Sequence, residues 1–218
     1  MTQPQVLVFD MDGVLVDVSP SYRETIVRTV EHFSGQTITR ESIQDYKNQG
    51  GWNNDWRLSQ KICHDLGVDV PYAAIVEYFN HLFLDQGLIH RERWIPRDGL
   101  LDRLGERFEL AIFTGRTTQE AEITLHRQGV RDRFLLMTAD DVEREKPAPD
   151  GLLKIAGLRP SKKLLYVGDT VDDARCAGAA NVPFIGIAAE SSPRREELLG
   201  LFRQEGAIQI LRDVNEIG

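Results

Sequence analysis

The stretch Val6-Leu7-Val8-Phe9-Asp10-Met11-Asp12-Gly13-Val14-Leu15-Val16-Asp17 is an apolar run that stops at a carboxylate, with a second carboxylate two residues on and a glycine after it. A short apolar run closed by a turn signal reads as a buried strand of a parallel sheet. Open parallel sheets bind ligands at the carboxyl ends of their strands, which is where Asp10 falls. Residues two apart in an extended chain project to the same side. Two carboxylates held that close repel unless a cation neutralises them. The plain alternative is an acidic turn, because Asp-Gly pairs form turns readily. This stretch alone leaves both readings open.

Further apolar runs of strand length lie at residues 110–113, 134–137, 164–167 and 184–187, with a weaker one at 207–211. Helical stretches at 117–129, 150–157 and 171–180 separate the later runs. Strand–helix alternation of this kind yields a parallel sheet. The first gap breaks the pattern. About 100 residues separate the first run from the second, where a strand–helix–strand unit needs only ~30. The excess reads as helices. Ser19-Pro20 is an N-cap followed by proline at the first helical position. Ile26, Val27, Val30 and Phe33 then recur at helical spacing up to Gly35. Segments 40–48, 52–66 and 71–85 continue the series, the last with an apolar stripe at Ile75, Val76, Phe79, Leu82 and Phe83. Such a stripe is core packing. The expected architecture is α/β: a Rossmann-like parallel sheet core built from 1–17 and 95–218, with an inserted α-helical cap domain at 18–94 and 91–96 as its return linker.

A chain of 218 residues with a formal net charge of −8 and no basic run is a poor match for nucleic acid or an anionic membrane surface. Cys63 and Cys176 form no CxxC pair and read as small buried groups. No apolar stretch approaches the ~20 residues that span a bilayer, and the start of the chain lacks a signal-peptide pattern. A cytoplasmic enzyme is the expectation. His32, His64, His81, His90 and His126 share no metal-ligand spacing. A calcium loop is rejected, because Val14 and Leu15 stand where it needs oxygen ligands.

Several short segments fall at successive strand ends: Asp10 and Asp12, then Thr114-Gly115-Arg116, then Lys146-Pro147, then Gly168-Asp169-Thr170-Val171-Asp172-Asp173. Each alone is an ordinary turn, loop or helix start. Together they suit phosphoryl transfer. Asp10 can act as a carboxylate nucleophile, and Asp12 can protonate the leaving alkoxide and later activate water. Thr114 Oγ1 and backbone N–H groups, at Met11, Asp12 and Gly115, can bind phosphoryl oxygens. Lys146 can balance the charge of nucleophile and phosphate. Asp169 and Asp173 supply hard oxygen ligands for Mg²⁺.

In this ordered set, DMDGVLVD, TGR, KP and GDTVDD, the chain resembles the haloacid dehalogenase superfamily. The helical insertion directly after the first segment is similar to the subfamily containing phosphoglycolate phosphatase and β-phosphoglucomutase. The resemblance implies a Rossmann-like core with a mobile helical cap, Asp10 as nucleophile and Asp12 as acid/base. It implies Mg²⁺ on the Asp10 side chain, the Asp12 backbone carbonyl and Asp169. Asp173 matches the later acid and acts directly or through water; the neighbouring Asp172 leaves the choice between the two open. Asp17 matches a position beside a flexible flap and receives no chemical role. Members that cleave carbon–halogen bonds lack the second aspartate, so Asp12 favours phosphate ester chemistry.

The segment 46–57 joins two cap helices, carries paired glycines and mixes amides, aromatics and cations. Lys47, Asn48, Trp52, Asn53 and Arg57 are its candidates for reading the substrate; the alternative is a plain helix connection. The expected activity is a Mg²⁺-dependent phosphatase of a small phosphorylated metabolite, working as a monomer or weak homodimer. A sugar phosphomutase and a catalytically silent interaction protein are the alternatives. Lys146-Pro147 is a candidate cis bond.

Overall fold

The computed structural model describes residues 5–218. A six-stranded sheet holds the centre, in the order β5-β4-β1-β6-β7-β8, with every pairing parallel. Its strands are β1 Val6–Phe9, β4 Glu109–Phe113, β5 Leu135–Met137, β6 Leu164–Gly168, β7 Phe184–Ile187 and β8 Gln209–Leu211. The apolar run that opened the sequence reading is β1, the strand between β4 and β6. All its residues are buried. Leu7 and Phe9 pack into one core and Val6 and Val8 into another. A strand covered on both faces has no polar side, which is why its sequence does not alternate.

Helices α5 Leu100–Gly105, α6 Thr118–Arg127, α7 Asp150–Leu158, α8 Val171–Ala179 and α9 Arg195–Gln204 cover the sheet. Of these, α5 and α9 are additions to the sequence reading. The chain leaves β1 for β4 on one side while β6 lies on the other. The crevice at this reversal opens at the carboxyl end of β1.

Between β1 and β4 the chain builds α1 Tyr22–Ser34, α2 Arg40–Gln49, α3 Asp55–Asp65 and α4 Tyr72–Asn80, the last running into a π-helical turn at His81–Asp85. Ile26, Val30, Ile43, Leu58, Ile75, Phe79 and Phe83 are buried among them. Tyr22 lies against Phe83 with ring centroids 4.1 Å apart. Two helix starts differ from expectation. α1 begins at Tyr22, because Ser19 is drawn into a turn: its N–H and hydroxyl both donate to Asp17 Oδ1, at 2.9 and 2.6 Å. α3 begins at Asp55, where Asn54 caps it by accepting from the Arg57 N–H at 3.1 Å.

The two connections to this helical unit lie side by side. β2 Val16–Asp17 pairs antiparallel with β3 Arg93–Trp94, matching Val16 to Trp94 and Asp17 to Arg93. No helix of the described residues is long and apolar enough to cross a membrane.

Candidate active site

Asp10 follows β1 immediately, its N–H donating to Val167 O on β6 at 2.8 Å. That bond continues the ladder one residue past the strand and delivers the side chain into the crevice. Asp10 Oδ1 accepts from the Met11 N–H at 2.7 Å and lies 3.0 Å from Lys146 Nζ. Burial pushes the Asp10 carboxyl up to about 7; Lys146 opposes that shift, and the neighbouring Asp173 and Asp12 add to it.

Lys146 is buried, and the peptide bond to Pro147 is cis, as the sequence reading anticipated. Its ammonium donates to Asp173 Oδ1 at 2.7 Å and to the Tyr166 hydroxyl at 3.0 Å. Burial works against the charged lysine, but Asp10 and Asp173 outweigh it and hold the pKa far above the usual range. Asp173 closes a capping box at the start of α8, accepting from the Thr170 N–H at 3.0 Å and the Thr170 hydroxyl at 2.6 Å. Its burial is overcome by Lys146, Thr170 and Tyr166, and it stays ionised below the usual carboxylate range.

Asp169 follows Gly168, the last residue of β6. One carboxylate oxygen from each of Asp10, Asp169 and Asp173 lies within 4.8 Å of the others. Asp169 Oδ1 is buried without a hydrogen-bond partner. Burial, then Asp173 and Asp10, push its carboxyl well above the usual range. An orphaned oxygen beside two further carboxylates fits a hard divalent cation. Of the two acids that the sequence left open, Asp173 is the one at this cluster. Asp172 faces the helical unit instead and accepts from the Gly51 N–H at 2.7 Å.

Thr114, at the end of β4, is buried, and its Oγ1 accepts from the Arg116 N–H at 3.2 Å, which leaves its own proton free to be donated. The Gly115 N–H has no hydrogen bond among the described residues. The Met11 N–H, expected to face phosphate, is occupied here by Asp10 Oδ1. Asp12 Oδ1 is gripped by Arg116, Nε at 2.7 Å and Nη2 at 2.5 Å. Arg116 and its partner Glu92 are both buried; the sequence reading quotes Arg116 in its TGR segment without a role and does not single out Glu92.

A cavity of about 50 Å³ lies between the strand ends and the helical unit. Asp10, Asp12, Thr114, Gly115 and Asp169 line it from below; Arg23, Lys47, Asn53, Asn54, Asp55 and Trp56 line it from above. A wider cleft of about 740 Å³ shares Arg23 and Asp169 with it. The candidates in segment 46–57 divide. Lys47 reaches the cavity and pairs with Asp55 at 2.6 Å. Asn53 presses against Gly115, where a Cβ would lie 2.4 Å from its Nδ2. Trp52 and Arg57 do not reach it. They line an outer groove with His64 and Pro71, Trp52 packing on Tyr46 and Arg57 over Tyr72. Asn48 is buried, accepts from Gln44 and does not line the cavity. The helical phase set by the Asn54 cap turns Arg57 outward. Arg23, Asn54, Asp55 and Trp56 take the vacated places.

The model of the family described as haloacid dehalogenase-like hydrolase matches residues 7–187. A relative named imidazoleglycerol-phosphate dehydratase, from Phytophthora nicotianae, is 34% identical over 80% of the chain. The chain spans only 42% of that protein's length. A phosphoglycolate phosphatase from Colwellia psychrerythraea is 24% identical, over 86% of this chain and 85% of that one. Among solved structures, a conserved haloacid dehalogenase-like protein of unknown function from Agrobacterium tumefaciens superposes with a TM-score of 0.77 at 20% identity, covering 99% of this chain and 96% of the other. That likeness supports the α/β fold. The match over residues 7–187, which takes in the inserted helices and the acidic strand ends, places this chain among the haloacid dehalogenase-like hydrolases.

Proposed function

We propose that this protein is a Mg²⁺-dependent phosphatase of a small phosphorylated metabolite. In this reading residues 18–94 form a cap over a core of 1–17 and 95–218. The observation that carries it is Asp10, set between Lys146 and the orphaned Asp169 carboxylate, with Asp12 beside it across the cavity. Asp10 attacks phosphorus and the bond to the leaving oxygen breaks, while Asp12 gives that oxygen its proton. Water then attacks the phospho-aspartate and passes its proton back to Asp12, which frees phosphate and restores Asp10. Lys146 opposes the upward shift of the Asp10 carboxyl and holds it in place. The Thr114 hydroxyl and the Gly115 N–H bind phosphoryl oxygens. A Mg²⁺ held by Asp10, Asp169 and the Asp12 carbonyl, with Asp173 direct or through water, would offset the negative charge of nucleophile and phosphate.

The small cavity, lined by Arg23, Lys47 and Asn53, supports a compact polar leaving group. The test is a phosphate-release screen of metabolite esters, including 2-phosphoglycolate and fructose 1-phosphate, with and without Mg²⁺. Asp10→Asn should lose at least ~10³-fold in kcat; a variant that keeps most of its activity removes the assignment. Labelled phosphate that reaches a second hydroxyl faster than it reaches solution would support a mutase instead.

A further inference from the structure

The Asp12 carboxylate does not lie free in the crevice. Arg116 reaches it from the loop after β4 with two nitrogens, Nε at 2.7 Å and Nη2 at 2.5 Å, and both go to the same oxygen, Oδ1. The other oxygen, Oδ2, has no hydrogen bond among the described residues, and Asp12 lines the cavity. Asp12 is thus held at one oxygen by the Arg116 Nε–H, with Nη2 close by, and its other oxygen is left toward the cavity.

Arg116 is itself immobilised. Its Nη1 donates to Thr124 Oγ1 on α6 at 2.9 Å, and its Nη2 lies 2.8 Å from Glu92 Oε1. Thr124 Oγ1 donates on to Glu92 Oε2 at 2.7 Å, and Arg127 Nη2 lies 3.1 Å from the same oxygen. The guanidinium carbon sits 4.9 Å from the centroid of the Tyr22 ring. Arg116 and Glu92 have side-chain exposures of 1% and 0%. Burying a charged pair this completely is costly unless every contact is well made. Here the buried group reaches the cavity through Asp12 and through Arg116 itself. Glu92 is also the residue directly before β3, so the chain's return from the helical unit is part of the clamp.

We propose that Arg116, locked by Glu92 and Thr124, is a positioning residue that aims the free oxygen of Asp12 at the leaving group. This rests on Asp12 acting as the proton donor of the proposed phosphatase. The test separates it from a merely structural role through the leaving group. An alkyl ester needs a proton as its bond breaks, whereas p-nitrophenyl phosphate expels a phenolate that does not. The quantity is kcat/KM, which covers the steps through departure of the leaving group.

Wild type, Arg116→Ala, Arg116→Lys and Glu92→Gln would be assayed on p-nitrophenyl phosphate and on 2-phosphoglycolate or fructose 1-phosphate, whichever wild type cleaves faster. Arg116→Ala should lose ~10²-fold on the alkyl ester, as expected when general acid catalysis is disabled, and under ~3-fold on the aryl ester. Arg116→Lys, which keeps charge without the fork, and Glu92→Gln should show smaller losses with the same selectivity. Equal losses on both esters, or none on either, overturn the proposal. Thermal unfolding identifies a variant that does not fold, and the two milder substitutions then decide the matter by the same criterion. A wild type that cleaves neither ester nor any in the metabolite screen overturns the phosphatase reading and this one together. An active wild type with unselective variants overturns only this one.

Discussion

A single backbone position decides whether the acidic cluster can exist. Gly13 has φ +71°, and a Cβ there would lie 1.9 Å from Asp169 Oδ2. The glycine in DMDG is therefore needed twice, for its left-handed conformation and for the space it leaves. Gly13→Ala should cost about 1–2 kcal/mol in stability and displace Asp169. The Mg²⁺ concentration for half-maximal phosphate release should rise ~10-fold or more; an unchanged Mg²⁺ dependence would contradict the role given to Asp169. Asp10 and Asp169 are legible because each directly follows a strand of a parallel sheet, where position follows from topology; Lys146 is legible as the cation of the loop after β5. The choice between Asp172 and Asp173 stays open in the sequence reading; the signal for it is the capping pattern Thr170-x-x-Asp173, whose third helical residue turns back toward the cap. Arg116 was visible as a residue but not as a partner of Asp12. The two are far apart in sequence, and nothing local in either segment records their contact.

At the scale of elements, β1, β4, β5, β6, β7 and β8 were read within a residue or two, because continuous apolar runs have few alternatives. The helix starts were less accurate. Ser19 is diverted by the Asp17 carboxylate, and the Asn54 cap, the second of two asparagines in a row, is not singled out from sequence. Trp52 therefore lies in the connection before α3 and Arg57 in its first turn, and both face the outer groove. One tie lies at the opposite end of the sheet from the crevice. Glu109, first residue of β4, meets Arg159 Nε at 2.6 Å and Lys162 Nζ at 2.8 Å just beyond α7. Hydrogen bonds from Arg159, then Lys162, lower its carboxyl from 4.5 to about 2. Its contribution is thus complete above the unfolded value near 4.5 and fades as pH falls toward 2. Because the pair is partly exposed, the effect is about 1 kcal/mol. Glu109→Gln should be less stable than wild type by that amount in urea at pH 7, with the gap narrowing at pH 3. A gap that widens on acidification would refute the attribution.

For the whole molecule, the length of the first gap announces the helices inserted between β1 and β4. The contacts that seat the helical unit on the core were not legible. Besides Asp172 with Gly51, Arg175 Nη1 donates to Gln49 O at 3.1 Å, Arg194 pairs with Asp45 at 2.8 Å and Asn54 donates to Glu145 at 3.2 Å. All join segments far apart in sequence. The paired β2 and β3 bear on how the chain folds. The central pairing of β1 with β4 must close a loop of roughly a hundred residues, an entropic burden that slows assembly. Once α1–α4 have condensed and Val16 meets Trp94, most of that loop no longer counts. Two halvings of effective loop length recover about 1.2 kcal/mol of closure entropy. The inserted helices then act as a folding scaffold for the sheet that they interrupt. Phe83→Ala, which loosens them at the Tyr22 contact, should slow refolding of the sheet several-fold as well as hasten unfolding. A change confined to the unfolding limb in stopped-flow measurements would show that the sheet closes without their help.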